Sequence, residues 1–217
     1  MKIIKCQQYD QTWWAWRRGR ASASEAPRII TPKTRGLSAQ ARGYAYELIG
    51  DLYDPRYGFK EDYITASMKN GRIMEPESRR FYEFERGLEV EQVGICISEC
   101  DRWAASPDGL VGDDGLLELK NPQHSTQVDY LVTNRVPEKY LPQLHFQLLV
   151  TGRKWADFMS RAAGLPPLLV RVEPDDYTEA LRKCLEDFWT IYEGTRQLIA
   201  AMLDPVPATR KPFVTPF

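Results

Sequence analysis

The chain has 217 residues, 43% of them hydrophobic and 12% aromatic, so it is long and apolar enough to bury a substantial core. No apolar run approaches the roughly 20 residues that cross a bilayer. The opening MKIIKCQQYD also lacks the apolar stretch of a signal peptide, which predicts a cytoplasmic protein without membrane contact. The four cysteines are scattered, which argues against a disulfide framework or a four-thiolate iron–sulfur site.

Charge is distributed unevenly along the chain. The formal net charge is −1, but residues 1–42 carry a net charge of +7 and the remainder carries −8. The basic residues of this segment are Lys2, Lys5, Arg17, Arg18, Arg20, Arg28, Lys33, Arg35 and Arg42. A basic segment on an acidic body is typical of a protein that binds a polyanion at one face and cations at another, although a solvated basic surface gives the same pattern.

Residues 10–30 begin with an aromatic-rich stretch, DQTWWAWRR, that predicts a short helical turn before Gly19. A second helix start follows. Ser24 is its expected cap, because this choice places Pro27 within the first turn, where a missing N–H is tolerated. The tryptophans of the stretch are Trp13, Trp14 and Trp16. They fit stacking on nucleic-acid bases, but aromatic side chains grouped on a short helix are more typical of a core or a subunit interface.

Two helices and a strand are predicted next. Residues 38–53 carry apolar side chains at helical spacing. A further helix is expected from Pro76, with the proline at the tolerated first position and Gly87 as the stop. The pattern then changes to alternation, so that EVEQVGICIS, residues 89–98, predicts one strand, and a turn at residues 99–102 leads into WAASPDGLV.

The second half predicts strands enclosed by helices. The Asp-Asp-Gly sequence at 113–115 predicts a tight turn, and LLELK predicts the strand that follows it. KYLPQLHFQLLVTG predicts a helix from Pro142, ADFMSRAA and LPPLLVRVEP predict two strands, and residues 176–203 predict a long closing helix. Residues 205–217 are rich in proline and are expected to be extended. This order indicates an α/β or α+β fold, and we expect one domain over residues 1–217.

One stretch contains the residues best suited to chemistry. SPDGLVGDDGLLELKNP, residues 106–122, places Asp108 before the turn and Glu118 and Lys120 after it. Side chains alternate along a strand, so Glu118 and Lys120 share one face, and the hairpin brings Asp108 beside them. Carboxylates bind Mg²⁺, and one or two suffice because the metal keeps water and takes phosphate oxygens. The lysine would orient, or help to deprotonate, a water molecule that attacks phosphorus.

On spacing alone, this pattern is also compatible with the solvated face of an ordinary strand. The local sequence is more specific. Ser-Pro-Asp-Gly-Leu before the turn and Leu-Glu-Leu-Lys-x-Pro after it resemble the core motif of the bacteriophage lambda-type exonucleases, the YqaJ-like viral recombinase nucleases of the PD-(D/E)XK superfamily.

Three more blocks have the same resemblance, in the same order. The N-terminal block consists of Trp13, Arg17, Gly19, Ser22, Ala23, Ser24 and Glu25. The upstream acidic helix is matched by Gly71, Glu75, Phe81, Phe84 and Gly87. The helix after the core is matched by Tyr140, Gln143, Val150 and Thr151. The sequence departs from the family pattern in two places. His145 stands where the family has a second glutamine, and the segment between Lys120 and Gln143 is shorter than in the family. His124 lies within that segment and is expected to be a loop residue unless it contacts substrate or metal.

The resemblance implies an α/β fold with a restriction-endonuclease-like core, in which helices flank a central mixed sheet. The implied metal ligands are Asp108, Glu118, Glu75 and the backbone carbonyl of Leu119. Lys120 would act on the attacking water, and Gln143 would form a hydrogen bond near the active centre. The implied cofactor is a pair of Mg²⁺ ions, with Mn²⁺ as a substitute. Outside the family context, Glu75 is also an ordinary acid at a helix start.

A second group is implied to hold a 5′-terminal phosphate, and its members are Arg17, Ser22, Ser24 and Ser106. Hydroxyls and free N–H groups at a helix start, backed by a guanidinium, suit a doubly charged phosphate. The alternative is simple capping by Ser24 and a solvated Arg17. General contacts with the DNA backbone are implied for Arg18, Arg20, Lys33 and Arg35, which makes residues 1–42 a DNA-end-binding segment.

The function implied is a Mg²⁺-dependent 5′-to-3′ exonuclease acting on linear double-stranded DNA with a 5′-phosphate. It would release mononucleotides and leave 3′ single-stranded overhangs for phage-type homologous recombination. The resemblance further implies a homotrimeric ring around the DNA, a single-strand annealing protein as partner, and a phage or prophage gene in a bacterial host. The alternatives are an endonuclease of the same superfamily, which would not need the phosphate pocket, and a non-catalytic DNA-end-binding module.

Overall fold

The computed structural model describes residues 1–58 and 66–203. The strands are β1 (Lys2–Ile4), β2 (Ala21–Ser22), β3 (Val90–Glu91), β4 (Ile95–Ile97), β5 (Trp103–Ala105), β6 (Gly109–Val111), β7 (Gly115–Lys120), β8 (Trp155–Ser160) and β9 (Leu168–Val172). The α-helices are α1 (Gln11–Arg17), α2 (Ala41–Tyr53), α3 (Ala66–Arg86), α4 (His124–Thr133), α5 (Leu141–Thr151) and α6 (Asp176–Leu203). Short 3₁₀ helices cover Ala23–Arg28 and Glu138–Tyr140. The tail that we expected to be extended, residues 205–217, lies outside the described residues.

The larger sheet has five strands in the order β3-β6-β7-β8-β9. It is mixed, because β7 and β8 run parallel while the other neighbours run antiparallel. Leu116 and Phe158 on one face join the core that contains α2, α5 and α6. Leu117 and Leu119 on the other face pack against Tyr82 of α3. The expected mixed sheet flanked by helices is therefore confirmed.

A smaller sheet, with the order β1-β4-β5-β2, was not predicted. The single strand expected over residues 89–98 is wrong, because β3 belongs to the larger sheet and β4 to the smaller one. Between them, a Cβ atom on Gly94 would lie 2.4 Å from the Cys6 sulfur and 2.5 Å from the Cys6 carbonyl oxygen. Glycine permits this close approach where the chain leaves one sheet for the other. Apolar residues alternate in β3 and in β4 in the same way, so the sequence pattern does not show where the chain passes from one sheet to the other.

The helix expected to start at Pro76 is also different, because α3 begins ten residues earlier and contains Pro76 in its interior. A proline there removes one helical hydrogen bond, which favours a helix boundary when only the local sequence is considered. The side chain of Asn121 forms hydrogen bonds on both sides of the proline. It accepts one from the Ser78 hydroxyl at 2.6 Å and donates one to the Gly71 carbonyl at 3.4 Å. These tertiary contacts hold both parts of α3 against the end of β7.

The helix cap expected at Ser24 is wrong as well. The 3₁₀ helix Ala23–Arg28 has Ser22 at its cap position, without a capping hydrogen bond from the side chain, and Pro27 is its fifth residue. The Ser24 hydroxyl instead accepts a hydrogen bond from the Arg17 guanidinium at 3.1 Å and lies 3.4 Å from the Ser22 hydroxyl. The competing contact with Arg17 directs this hydroxyl away from the helix backbone.

Helices α1, α2, α5 and α6 agree with the sequence prediction. The helix α2 starts at Ala41 within the expected range, and Pro142 is the second residue of α5. The helix α6 spans the expected residues with its predicted apolar side buried. The helix α4 was not predicted. Among the described residues, no helix is long and apolar enough to cross a membrane.

Asp157 lies in β8, completely buried, on the face of the larger sheet that α3 covers. Its carboxylate accepts hydrogen bonds from the Tyr82 hydroxyl at 2.8 Å and from the Arg171 guanidinium at 2.8 and 3.0 Å. Arg86 approaches to 4.0 Å. Burial, followed by the hydrogen bond to Asp157, raises the pKa of Tyr82. The Asp157 network therefore joins α3, β8 and β9.

We expect Asp157→Asn to lower the free energy of unfolding by about 2 kcal/mol or more. A hydrogen bond to a charged group contributes about 1.5–3 kcal/mol, and two arginines would lose their partner. Urea unfolding followed by circular dichroism measures the change. Asp114→Asn is the matched control, since its ion pair with Lys154 is exposed and contributes at most about 1 kcal/mol. Equal losses in the two variants would contradict a structural role for the network.

Candidate active site

The β6–β7 hairpin fixes Asp108 opposite Glu118. The Asp108 N–H donates to the Leu117 carbonyl at 3.0 Å, which continues the ladder past the end of β6. Its carboxylate accepts a hydrogen bond from the Leu119 N–H at 2.6 Å. Since N–H and C=O of one strand residue point to the same side, the Leu119 carbonyl faces Asp108 as well. The Arg79 guanidinium holds the Asp108 carbonyl at 3.1 and 3.3 Å.

Glu118 is 2% exposed and has three hydrogen-bond donors around its carboxylate. Lys120, two residues along the same strand, donates to Oε1. Gln143 donates to Oε1 at 2.7 Å and Gln147 to Oε2 at 2.6 Å. The two glutamines are one turn apart on α5, so both face β7. The carboxylate is therefore held in one orientation by two separate elements.

The electrostatics of the site follow from two acids sharing a buried space. Burial and repulsion from Glu118 raise the pKa of Asp108 well above its usual value, although Lys120 and the Leu119 N–H oppose the shift. Burial disfavours the Lys120 ammonium, but Glu118 and Asp108 outweigh it and raise the pKa of Lys120. In this arrangement Lys120 is protonated, so it serves as a hydrogen-bond donor and a positive charge.

A cavity of about 540 Å³ joins the two groups of residues that the sequence singled out. Its walls include every residue predicted for catalysis or metal binding: Glu75, Asp108, Glu118, Leu119, Lys120 and Gln143. They also include every residue predicted for the 5′-phosphate: Arg17, Ser22, Ser24 and Ser106. Glu75 lies inside α3 rather than at a helix start, and its charge contributes to the raised pKa of Asp108. We call this space the active-site cavity.

One side of the active-site cavity carries a guanidinium group and several hydroxyl groups. The Arg17 guanidinium lies 4.9 Å from the centre of the Trp13 ring and donates to the Ser24 hydroxyl. The Trp13 indole N–H donates to the Ser106 hydroxyl at 2.8 Å. Trp13 is 3% exposed and packs in the core under α1, which confirms the core interpretation for this tryptophan. Its burial fixes both Arg17 and Ser106.

The residues proposed for general DNA contacts do not line this cavity. The Arg18 guanidinium donates to three carbonyl oxygens at the C-terminal end of α2, which gives it a structural role; its expected DNA contact stays a prediction. Arg20 pairs with Asp101 at 2.8 Å. Lys33 and Arg35 lie on an exposed loop, where Arg35 faces the ring of Tyr177 rather than the cavity.

The two histidines also lie outside the cavity. His124 is the first residue of α4, not a loop residue, and its ring contacts the Ala163 carbonyl at 2.9 Å. His145 is buried, stacks on Tyr177 and lies 2.9 Å from the Thr178 hydroxyl. Burial lowers the pKa of His145. Both rings therefore have structural contacts.

Sequence reasoning missed several residues around the site. Gln147 follows Gln143 at helical spacing in the sequence, but no role was predicted for it. Asn121 and Arg79 position α3 and Asp108, and no local pattern indicated them. Lys139 lines the cavity, with its ammonium 4.9 Å from the centre of the Tyr140 ring. For Gln147, the four-residue spacing from Gln143 was the indication that the sequence offered.

Residues 12–154 match the model of the YqaJ-like viral recombinase domain, which is more than half of the chain. The chain belongs to this family. No protein with a curated description matches the sequence. The family assignment that the four sequence blocks predicted is therefore confirmed.

Solved structures agree with the assignment to the YqaJ-like family. A crystal structure of LHK-Exo in complex with dAMP is 31% identical, with a TM-score of 0.76 over 89% of this chain and 99% of that chain. A second structure of LHK-Exo, an alkaline exonuclease from Laribacter hongkongensis, is 29% identical, with a TM-score of 0.70 over 88% and 99%. A phage-related exonuclease from Haemophilus somnus is 12% identical, with a TM-score of 0.65 over 84% and 96%, and shares the fold. The restriction-endonuclease-like α/β fold and the class of DNA exonuclease are confirmed.

The YqaJ-like resemblance implies a divalent metal ion, and the residues present fit one. Within the described ranges, no group of three or more His, Cys, Asp or Glu side chains forms a metal site. Mg²⁺, however, binds through one or two carboxylates and otherwise keeps water. Asp108 and Glu118 share one ammonium, so the site retains a negative charge that a divalent cation would offset. The side-chain oxygen of Gln147 is also buried beside them without a hydrogen-bond partner.

We expect Asp108→Asn to stabilise the protein in EDTA at neutral pH. The pKa of Asp108 is higher in the folded chain than the ordinary 3.8, so its ionisation costs folding free energy, and this cost appears as the pH rises above about 4. The wild-type Tm should fall more steeply with rising pH than the Tm of the variant. Each kcal/mol of folding free energy that the substitution restores raises Tm by about 2–4 °C at this chain length.

Asp129→Asn, on the exposed face of α4, is the control for this experiment and should leave the wild-type pH profile unchanged. Parallel Tm profiles for wild type and Asp108→Asn would contradict the repulsion between the two acids.

Proposed function

We propose that this protein is a Mg²⁺-dependent exonuclease that digests one strand of linear double-stranded DNA from a 5′-phosphorylated end. It acts in the 5′-to-3′ direction, releases mononucleotides and leaves 3′ single-stranded overhangs for homologous recombination. The supporting observation is that one cavity holds both the acid–lysine group and the anion-binding group. A strand whose terminal phosphate contacts Arg17 has its following phosphate in the same cavity as Asp108 and Glu118.

Recognition of a terminal phosphate also gives the proposal its direction. A terminal phosphate has an additional negative charge compared with an internal diester, and the Arg17 guanidinium with the Ser22 and Ser24 hydroxyls can interact with it. An endonuclease of the same superfamily does not need such a pocket. The dAMP bound to LHK-Exo shows a mononucleotide on a similar protein and supports the proposed product.

The proposed roles of the individual side chains come from the family resemblance, and the contacts within the cavity support them. Two Mg²⁺ ions, or Mn²⁺ as a substitute, held by Asp108, Glu118, Glu75 and the Leu119 carbonyl, would activate water and offset charge on the phosphate. The Lys120 ammonium is directed to the same point, where it orients water and stabilises charge that develops on the phosphate oxygens. Gln143, with Gln147, keeps the Glu118 carboxylate oriented towards the cavity.

The family resemblance also supports a wider proposal about assembly. It comprises a homotrimeric ring around the DNA, a single-strand annealing protein as partner, and action in the cytoplasm of a bacterial host. Light scattering of the purified chain would report the mass of the assembly.

Asp108→Ala should abolish digestion of linear duplex DNA, with a loss of at least about 10³-fold, because it removes one of the two acids that face the phosphate. The assay measures release of acid-soluble nucleotides in Mg²⁺. Binding of the DNA end in EDTA, measured by fluorescence anisotropy, should persist. A non-catalytic module predicts unchanged behaviour in both assays, and cutting of closed circles as fast as linear DNA would favour the endonuclease.

Arg17→Ala should remove the preference for a 5′-phosphate. Wild-type protein should digest a 5′-phosphorylated duplex about 10–100-fold faster than the same duplex with a 5′-hydroxyl, since charged hydrogen bonds to the phosphate contribute about 1.5–3 kcal/mol. Initial rates on the two substrates measure this ratio, which should approach one in the variant. Arg42→Ala is the matched control from the same basic segment, because Arg42 is exposed and outside the cavity.

A further inference from the structure

The turn formed by residues 7–10 has a large side chain at a position that favours glycine. The Asp10 N–H donates to the Gln7 carbonyl at 3.2 Å, which closes the turn, and Tyr9, its third residue, has a φ of 72°. Turns of this geometry favour glycine at the third position, because a Cβ atom is strained there. Strained residues of this kind concentrate at ligand-contacting sites.

The Tyr9 ring packs against aromatic neighbours and also lines two cavities. Its ring lies 4.7 Å from the Trp13 ring, centre to centre, and 6.4 Å from Trp14. Tyr9 also lines both the active-site cavity and a second cavity of about 270 Å³. The residues common to the two cavities are Gln8, Tyr9, Glu75 and Asp108. Tyr9 therefore stands at the junction of the two cavities, beside the acids of the site.

The second cavity is larger than a nucleobase, and polar side chains line it. The carboxamides of Gln7 and Gln92 can each donate and accept hydrogen bonds, as the edge of a base requires. Val93 adds an apolar wall. Gln7, Gln92 and Val93 take no part in the proposed hydrolysis, whereas Glu75 and Asp108, which also line this cavity, do.

Tyr9 is also close to the residues proposed for the terminal phosphate. The Arg17 guanidinium lies 4.9 Å from the Trp13 ring, and the Trp13 ring is the one on which Tyr9 packs. Arg17 and Tyr9 therefore both lie against Trp13, and all three residues line the active-site cavity. A nucleotide with its 5′-phosphate at Arg17 would therefore lie in a cavity that Tyr9 also lines.

We infer that Tyr9 and the second cavity form a subsite for the base of the 5′-terminal nucleotide, which stacks on the tyrosine ring. This inference rests on the proposed exonuclease function and adds a specificity element to it. Every base has a π face, so the subsite recognises the presence of a base rather than its identity.

The test compares two 5′-phosphorylated duplexes that differ only in their terminal nucleotide, which is either a normal nucleotide or an abasic tetrahydrofuran analogue. Affinity is measured in EDTA by fluorescence anisotropy, and release of the first nucleotide is measured in Mg²⁺. The proteins are wild type, Tyr9→Phe, Tyr9→Leu and Tyr9→Gly. Phenylalanine retains the ring, leucine retains apolar packing without it, and glycine relieves the backbone strain while removing the side chain.

Wild type and Tyr9→Phe should bind the abasic end about tenfold more weakly than the normal end, and Tyr9→Leu and Tyr9→Gly should bind the two ends about equally. A tenfold preference that persists in Tyr9→Gly, or its absence from wild type, would overturn the subsite. Failure of the proposed function gives a different result: no protein releases a nucleotide from either duplex, whereas the binding comparison still reports on the subsite.

Discussion

The structure depends on keeping the carboxyl group of Glu118 inside the protein. Burying a charge is unfavourable unless hydrogen bonds replace the lost water. Here Lys120 supplies one donor from the same strand, and α5 supplies two from consecutive turns. This requirement fixes the distance and rotation of α5 relative to β7. It also explains why an apolar helix presents two glutamines to the sheet.

The opposite face of the sheet has a different role. Leu117 and Leu119 alternate with Glu118 and Lys120 and pack on α3, and Asp157 anchors the same helix with a fully hydrogen-bonded carboxylate. Asp108, in contrast, retains repulsion from Glu118, which is a source of instability in the absence of a cation. We interpret the hydrogen bonds of Asp157 on one face of the sheet as a source of folding free energy. This free energy offsets the repulsion between Asp108 and Glu118 at the site. Destabilising groups of this kind are common at functional sites.

The hairpin that carries the site could be predicted because its determinants are local. A tight turn and strand alternation are sufficient to place Asp108 opposite Glu118. They also put the side chains of Glu118 and Leu119 on opposite faces of the strand. Strand alternation placed Lys120 beside Glu118 for the same reason, whereas the expected position of Gln143 near the active centre came from the family resemblance. The interior position of Pro76 could not be predicted, because the contacts that hold α3 on both sides of it come from Asn121. Likewise, the role of Arg18 depends on carbonyl groups more than thirty residues away.

By itself, the sequence determined which residues have the chemistry of a nuclease and which family the chain belongs to, because motifs preserve residue types at fixed local spacing. Tertiary structure decided that Arg17 and Ser24 line one cavity with Asp108, although more than eighty positions separate Ser24 from Asp108. It also decided that residues 89–98 divide between two sheets and that Tyr9 adopts a strained turn beside the acids. These features arise from contacts between distant segments, whose free energies no short stretch of sequence contains.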